Sequence, residues 1–353
     1  KIVTTLVNGR MKKSVGNLLK LLNLKPSMID KVQNKYGRDA LDIIKKNPYR
    51  LLRDFAGEYG FHFENVDKLA LQLGEKPDSQ RRIDEAVYYV ISKQLQEGGH
   101  LCIDLSDSTQ FNAIMTALVG KLSATIASTS VVHSAITNHE YLVVVPYDTD
   151  GYPHQFCYTS DSYLHETMAA DYINSMRNAR PLLAKSRDDI LLEIEDFELM
   201  SGTQLDDIQK EAVITSLQNR VSIITGGPGC GKTTVVACVL FVWRRCHMPD
   251  PVLSAPTGLA AKRMRDAVLS NTCGYASEKI VVKTIARRLA EAKTKDDYHR
   301  HEPTLAVIDE TSMVNMADAA GMLRLFSGCQ VVFVGDADQL PAIDPGDFFS
   351  DLC

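Results

Sequence analysis

The sequence predicts an α/β protein of two textures: a mainly α-helical N-terminal region, then a doubly wound domain built on a parallel sheet. Three observations carry that expectation. From about residue 203 onward, short continuous apolar runs alternate with helical segments. Before residue 180, apolar residues recur mostly at helical spacing. The first apolar run of the second half leads straight into a glycine-rich loop and a helix, "VSIITGGPGCGKTTVV", the strand–loop–helix order of a phosphate cradle.

The chain has 353 residues, 45% hydrophobic and 24% charged, enough for two or three packed domains. Net charge is −5, so no global basic field attracts nucleic acid and any such contact must be local. No apolar run approaches the ~18 residues of a membrane span. The N-terminal "KIVTTLVNGRMKKS" lacks the apolar core of a signal peptide. Eight cysteines, at 102, 157, 230, 238, 246, 273, 329 and 353, form no CxxC pair. That scatter suits reduced thiols in a cytoplasm better than disulfides or zinc.

Taken in order, "SVGNLLKLL", "IDKVQNKYGRDALDIIKKN" and "DEAVYYVISKQLQE" read as helices, punctuated by Asn47-Pro48 and the glycines near 57–60. "TSVVHSAITNHE" reads as another helix, and "YLVVVPYDTDGYPHQFCY" as two strands around an Asp-Gly turn. Helices followed by a hairpin fit a winged-helix unit. "HETMAADYINSMRN" is a further helix and "ARPLLAKSRDD" reads as a linker. The expected strands of the second half are 221–225, 251–255, 305–309 and 331–335.

Gly226 to Thr233 fits G-x-x-x-x-G-K-[ST]. Glycines let backbone N–H groups turn toward phosphate oxygens with no Cβ in the way. The helix N-terminus adds partial positive charge. Lys232 would reach the β- and γ-phosphates, and the Thr233 hydroxyl would ligate Mg²⁺. In "LAVIDETSM", Asp309 ends an apolar strand, where a carboxylate can hold Mg²⁺; Glu310 beside it can take a proton from attacking water. An acidic strand-to-loop turn is the plain alternative, and a phosphate loop on a neighbouring strand weighs against it. "FVGDADQLPAIDPG" places Gln339 on a loop after another buried strand.

"GGPGCGKTT", "SAPTGLAAKRM", "VIDETSM" and "VGDADQLP", in that order, resemble motifs I, Ia, II and III of superfamily 1 helicases. The nearest group is the RecD-like branch, superfamily 1B, and the similarity spans about residues 200–353. "LDDIQKEAV" resembles its Q motif, which implies that Gln209 contacts adenine. The resemblance implies a RecA-like P-loop NTPase domain that uses ATP and Mg²⁺. Nucleotide contacts would come from Gly227, Pro228, Gly229, Cys230, Gly231, Lys232, Thr233 and Thr234. Catalytic roles would fall to Lys232, Asp309, Glu310 and Gln339, the last sensing the γ-phosphate, with Thr233 and Asp309 on the metal. The family often has Thr where Cys230 stands; a thiol at a helix N-terminus beside Lys232 is a candidate reactive group, and a tolerated small residue is the alternative.

The first half resembles the N-terminal region of the longer RecD-like helicases, which carry helix-hairpin-helix units. "KYGRDALDIIKKNPYRLL" followed by "GEYGFHFENVDKLALQLG" carries the likeness. The family's turn is Gly-apolar-Gly and its N–H groups hold a DNA phosphate. Here Gly57-Glu58-Tyr59-Gly60 is one residue longer and acidic, so a purely structural hairpin stands beside the phosphate-binding one. The expected domains are 1–110, helical and helix-hairpin-helix-like; 111–185, helical or winged-helix-like with the linker; and 186–353, the first RecA-like motor domain with a small insertion at about 290–304.

For DNA, the resemblance implies single-strand backbone contacts by Pro256, Thr257 and Gly258, with Lys262, Arg263 and Arg265 nearby. "KTIARRL" resembles the family's T-I-H-R-L segment, which implies a contact by Thr284, with Ala286 replacing the family histidine. "AEAKTKDDYHRHEPT" lies where relatives form a strand-separating pin. Tyr298 and His299 there would stack on a base, worth ~1–3 kcal/mol; a polar surface loop is the alternative. The implied activity is that of an ATP-dependent 5′→3′ DNA helicase of repair or recombination, monomeric and cytoplasmic. It would act on single-stranded DNA and single-strand/duplex junctions, with single-strand-binding or recombination proteins as candidate partners. Competing readings are a RecD-type subunit of a multi-subunit exonuclease and a nucleotide-gated DNA-binding module without turnover. A GTPase is disfavoured, since no N-K-x-D motif is present. The sequence ends just after motif III, so the second RecA-like domain and its arginines are expected beyond Cys353, and these residues alone are expected to hydrolyse ATP slowly and not to unwind duplex.

Overall fold

The structure is a computed structural model. It describes residues 15–16, 19, 24–58, 60–149, 151–271, 281–293 and 302–353. The chain divides into two compact units, one of residues 1–97 and 102–160, the other of 98–101 and 161–353. Among the described residues no helix is long and apolar enough to cross a membrane.

The first unit opens with helices α1 (Pro26–Tyr36), α2 (Ala40–Lys46), α3 (Arg50–Asp54), α4 (Phe63–Gln72) and α5 (Gln80–Gly98). The run "IDKVQNKYGRDALDIIKKN" is two helices rather than one, because Gly37 adopts φ 60° and closes α1. The turn between α3 and α4 places Gly57 and Gly60 at φ 76° and 91°, a conformation that favours glycine. Glu58, the acid of that turn, is paired with Lys31 at 2.5 Å. Buried ion pairs tie the helices: Arg82 forks onto Asp67 with two bonds of 2.8 Å, and Tyr49 donates to the same carboxylate at 2.6 Å.

After α5 the chain forms β1 (Cys102–Asp104), α6 (Ser108–Leu122), α7 (Thr129–Asn138), β2 (Leu142–Thr149) and β3 (Tyr152–Thr159). The sheet order is β1-β3-β2 and both pairings are antiparallel. Helix, strand, two helices and a hairpin whose second strand takes up the first is a winged-helix order. Strand β1 lies ahead of the expected boundary at residue 111, and one apolar core runs from Val15 to Cys157. That core explains why the helices and the hairpin form one unit. The winged-helix-like part differs from a DNA reader in one respect: α7, "TSVVHSAITN", carries neither Lys nor Arg.

The second unit holds α8 (Ser160–Arg177, counted from its first residue), α9 (Arg187–Ser201), α10 (Asp207–Gln218), β4 (Val221–Thr225), α11 (Lys232–Arg245), β5 (Val252–Ala255), α12 (Gly258–Asn271), β6 (Val281–Thr284), α13 (Ile285–Lys293), β7 (Leu305–Ile308), α14 (Met316–Leu325), β8 (Gln330–Gly335) and α15 (Phe348–Leu352). Five parallel strands are ordered β4-β8-β7-β5-β6. Strand alternation feeds two apolar layers. Leu305, Val307, Val332 and Val334 pack with α9 to α12, while Ala306, Ile308, Val331 and Phe333 pack with α8, α13 and α14. Helices therefore cover both faces, as a RecA-like P-loop domain requires. The segment 179–189, expected as a linker, is anchored in this unit. Leu183 is buried, and the Leu182 N–H donates to the buried Gln330 side chain at 2.9 Å. Gln330 in turn donates to the carbonyls of Ser216 and Leu217 at the end of α10.

Candidate active site

Parallel strands end on one edge of their sheet, so the loops that follow them gather there. At that edge β8 lies between β4 and β7. The loop after β4 begins at Gly226, the loop after β7 at Asp309, and the loop after β8 at Asp336, with register pairs Thr225–Gly335 and Ile308–Phe333 fixing their alignment.

The loop after β4 has the form of an anion cradle. Gly229 and Gly231 adopt φ 80° and 84°, which turn the chain into α11. Among the described residues, the N–H groups of Gly229, Gly231, Lys232 and Thr233 have no hydrogen-bond partner. With the N-terminus of the fourteen-residue α11 behind them, they form a donor set for phosphate. The Lys232 ammonium donates to the Gly226 and Gly227 carbonyls, at 3.0 Å for the latter. Gln209 reaches the same loop. Its Nε2 donates to the Cys230 carbonyl at 3.0 Å and its Oε1 accepts the Asp206 N–H at 3.1 Å, closing a capping box on α10. A Cβ at Gly231 would also stand 2.5 Å from Gln209 Nε2, so a side chain there would push the Gln209 amide off the loop.

Asp309 is largely buried. Burial lifts its carboxyl above the ordinary aspartate range; the Glu310 N–H, donating to Oδ1 at 2.9 Å, and the Lys232 charge pull the other way, while the Glu310 charge adds to the rise. Lys232 and Asp309 therefore lie within electrostatic reach of one another. Glu310 adopts φ 52°, rare for a residue with a side chain. Backbone strain of that kind concentrates at working sites. The Thr311 hydroxyl, fully buried, donates to the Ile308 carbonyl and holds the turn.

Gln339 sits on the loop after β8, and Asp336 organises it. Asp336 is 3% exposed. Its carboxylate accepts the Asp338 N–H at 3.1 Å and the Gln339 side-chain N–H at 3.4 Å, and its carbonyl accepts the Gln339 N–H at 3.2 Å. No sequence reading singled Asp336 out. The available signal was a buried apolar strand ending in Gly-Asp.

On the other half of the sheet, β5 leads through Pro256 and Thr257 into α12, and β6 leads through Thr284 into α13. Ala255 and Thr284 are register partners, so these two turns lie side by side. The Thr257 hydroxyl accepts the Ala260 N–H at 3.1 Å and the Thr284 hydroxyl accepts the Arg287 N–H at 3.3 Å. Each threonine caps its helix. Lys262, Arg263 and Arg265 are exposed on α12. Tyr298 and His299 lie outside the described residues.

Two families match the chain. One described as an AAA domain covers residues 209–345, and one described as the ATP-dependent RecD2 DNA helicase HHH domain covers residues 9–102. The two matches fall in the two halves of the chain, the helicase-associated one on the helical region and the AAA one on the domain with the parallel sheet. Among curated relatives, the ATP-dependent RecD2 DNA helicase of Deinococcus radiodurans is 25% identical over 332 residues, 92% of this chain and 43% of that protein. The RecBCD enzyme subunit RecD of Haemophilus influenzae is 30% identical over 208 residues, 53% of this chain and 32% of that protein. Its counterpart from Mycobacterium tuberculosis is 31% identical over 204 residues, 53% of this chain and 34% of that protein. The chain thus spans less than half the length of these relatives.

The site fits a magnesium nucleotide by its donor set. Unpartnered N–H groups, a lysine and a helix N-terminus face one way, with a carboxylate pair two strands across. Among the described residues no cluster of three or more His, Cys, Asp or Glu would hold a metal by itself. A cation here would therefore take waters and phosphate oxygens beside one or two protein ligands, as Mg²⁺ does.

Proposed function

We propose that the full-length protein is an ATP-dependent DNA helicase of superfamily 1B, translocating 5′→3′ on single-stranded DNA in repair or recombination. This chain contributes its N-terminal region and first motor domain. The observation that carries the reading is the sheet order. Loops bearing Lys232, Gln339 and Asp309–Glu310 follow the adjacent strands β4, β8 and β7, while the loops bearing Thr257 and Thr284 follow β5 and β6. A nucleotide edge and a strand-binding edge then share one rigid sheet.

In this reading Gln209 reads adenine, and the loop Gly227–Thr234 wraps the phosphates. Lys232 trades its loop carbonyls for phosphate oxygens. Thr233 and Asp309 hold Mg²⁺, which neutralises charge on the phosphates when bound. Glu310 accepts the proton of the attacking water, and Gln339, steadied by Asp336, senses the γ-phosphate. Pro256, Thr257, Gly258 and Thr284, with Lys262 and Tyr298, follow the strand; two capped helix N-termini face its phosphates. The partners are single-stranded DNA and its junctions with duplex, and the setting is the cytoplasm. The match to a RecD2 HHH domain over 9–102 supports a stand-alone enzyme over an exonuclease subunit.

The test uses the full-length protein with 5′-tailed and 3′-tailed duplexes. The expected result is ATP turnover stimulated by single strands and unwinding of the 5′-tailed substrate alone. Unwinding from a 3′ tail overturns the polarity, and turnover indifferent to DNA overturns the motor. Residues 1–353 alone are expected to turn ATP over slowly without unwinding.

A further inference from the structure

Helix α13 carries two adjacent arginines with opposite fates. Arg287 is 70% exposed and pairs with Glu291 at 3.0 Å, as a surface helix residue does. Arg288 is 7% exposed and, among the described residues, pairs with no carboxylate. Its Nε donates to Ser254 Oγ at 2.6 Å, and its Nη2 donates to the Leu253 and Val281 carbonyls, both at 2.8 Å. Burial pushes its pKa down to about 10, and Glu291 offsets little of that. A buried charge held only by neutral acceptors is costly, and an apolar residue of similar volume often serves stability better. The guanidinium therefore calls for a reason other than packing.

Its acceptors supply one. Leu253 and Ser254 belong to β5, which delivers Pro256–Gly258. Val281 opens β6, which delivers Thr284. Arg288 itself is one helical turn beyond Thr284. Its planar fork thus ties β5 to β6, the strands that lead into those two turns, with three short bonds. Ser254 carries the connection onward. Its carbonyl accepts the Asp309 N–H at 2.9 Å, and it pairs in register with Ile308. Asp309 then accepts the Glu310 N–H. Hydrogen bonds joined through the residues that make them run from the helix capped by Thr284, through Arg288 and Ser254, to the carboxylate pair.

We propose that Arg288 is a positioning residue that couples strand binding at the Pro256–Gly258 and Thr284 turns to the Asp309–Glu310 pair. This rests on the function proposed above. A strand that shifts either turn moves the fork. The fork moves Ser254, and Ser254 resets the backbone on which Asp309 and Glu310 are mounted. Arg288 is buried away from the surface that a ligand could reach, so its effect is on communication rather than on either affinity alone.

The experiment compares full-length wild type, Ser254→Ala, Arg288→Met and Arg288→Lys. ATP turnover is measured without DNA and with saturating oligo(dT), together with KM for ATP in both states. Ser254→Ala removes one hydroxyl and keeps the carbonyl that Asp309 uses. The expected result is a loss of about fivefold or more in the ratio of DNA-saturated to DNA-free turnover for Ser254→Ala and Arg288→Met. DNA-free KM for ATP is retained, and Arg288→Lys recovers part of the ratio. A ratio equal to wild type in Ser254→Ala and Arg288→Met overturns the proposal. So does a parallel fall of both rates that leaves the ratio intact, since that assigns Arg288 to packing alone. If Arg288→Met is too unstable to purify, Ser254→Ala decides. Wild-type turnover that ignores DNA instead sinks the function itself, and this proposal with it.

Discussion

The two units treat charge in opposite ways. The N-terminal unit buries it. Arg82 and Asp67 face each other inside the helical assembly with Tyr49 as third partner. Arg53 pairs with the buried Glu85 and lies 4.3 Å from the Tyr141 ring. Lys121 pairs with Glu64 and sits over the Phe63 and Tyr89 rings. The second unit instead builds its sheet almost wholly from uncharged side chains, with the buried Asp336 just past the end of β8 and Arg288 reaching in from α13. The difference follows from how each unit sets its geometry. Backbone ladders do most of the work of aligning five parallel strands, which frees the loops for chemistry. Short helices have no such ladder between them, and directional side-chain pairs fix their angles. A single substitution should therefore cost activity in one unit and folding in the other.

Two changes test that contrast at its largest. Glu310→Gln keeps size and polarity but removes the base. Turnover of the full-length enzyme should fall at least about 10²-fold, with nucleotide binding and melting temperature retained; turnover within tenfold of wild type would remove Glu310 from the chemistry. Arg82→Ala is the counterpart in the first unit. It strands the Asp67 carboxylate in the interior, and breaking a buried pair in this way costs about 3–5 kcal/mol. Hydrogen exchange should show residues 24–97 opening while nucleotide still binds. Loss confined to a few tenths of a kcal/mol would mean that the pair is decorative.

This contrast also decides what the sequence revealed. Strands β4, β5, β7 and β8 are legible because each is a buried apolar run that ends where a motif begins. Strand β6 is not: it is an edge strand, "VVKT", with Val281 exposed, and its pattern is weak. Strand β1 is three residues long and pairs with residues more than fifty positions later, a link no local pattern carries. The anchoring of residues 179–189 depends on Gln330, a polar side chain whose burial only the packed fold discloses. At the site, Lys232, Asp309, Glu310 and Gln339 stand in recognisable spacings. Arg288 does not: it lies within "KTIARRL", but nothing local distinguishes the buried arginine from the exposed one beside it.

Smaller effects sharpen the picture at the nucleotide edge. Gly231→Ala forces a side chain into φ 84° and against Gln209. Strain of about 1–3 kcal/mol is expected, read as weaker nucleotide binding and a lowered melting temperature of the motor unit. Its one tryptophan, the buried Trp243, reports that melting by fluorescence. Wild-type values for both would show that the loop can repack. Thiol chemistry is a gentler probe of the same loop. Cys230 and Cys353 are exposed, whereas Cys157, Cys238 and Cys329 are buried, and burial pushes the Cys157 thiol up to about 12. N-ethylmaleimide should label Cys230 in the native protein, block nucleotide binding, and be slowed by ATP. Full alkylation of Cys230 with binding intact would dispose of that role.

The subtlest effect returns to the N-terminal unit and to the buried ring of His139. His139 stacks on Tyr88 at 5.3 Å, and its Nδ1 accepts the Tyr141 N–H at 3.0 Å. Burial lowers its pKa below the ordinary 6.5; Asp84 and Glu140 oppose that, and Arg53 adds to it. Protonation would also cost the bond from Tyr141, because the accepting nitrogen would carry a proton. The sign follows. Between the lowered folded value and 6.5 the unfolded chain binds more protons, so stability falls as pH drops through that window. Asp54 and Glu64 change the balance only further down. Burial raises them, Tyr36 with Lys35 and Lys121 respectively outweigh it, and both end below the ordinary carboxylate range. Hydrogen exchange of residues 80–142 at pH 7 and at pH 5, corrected for intrinsic rates, should reveal weaker protection at pH 5. His139→Gln, which does not titrate, should lose most of that difference even if it is less stable at both. Equal pH sensitivity in the two proteins would assign the acid response to other groups and leave the ring a packing residue.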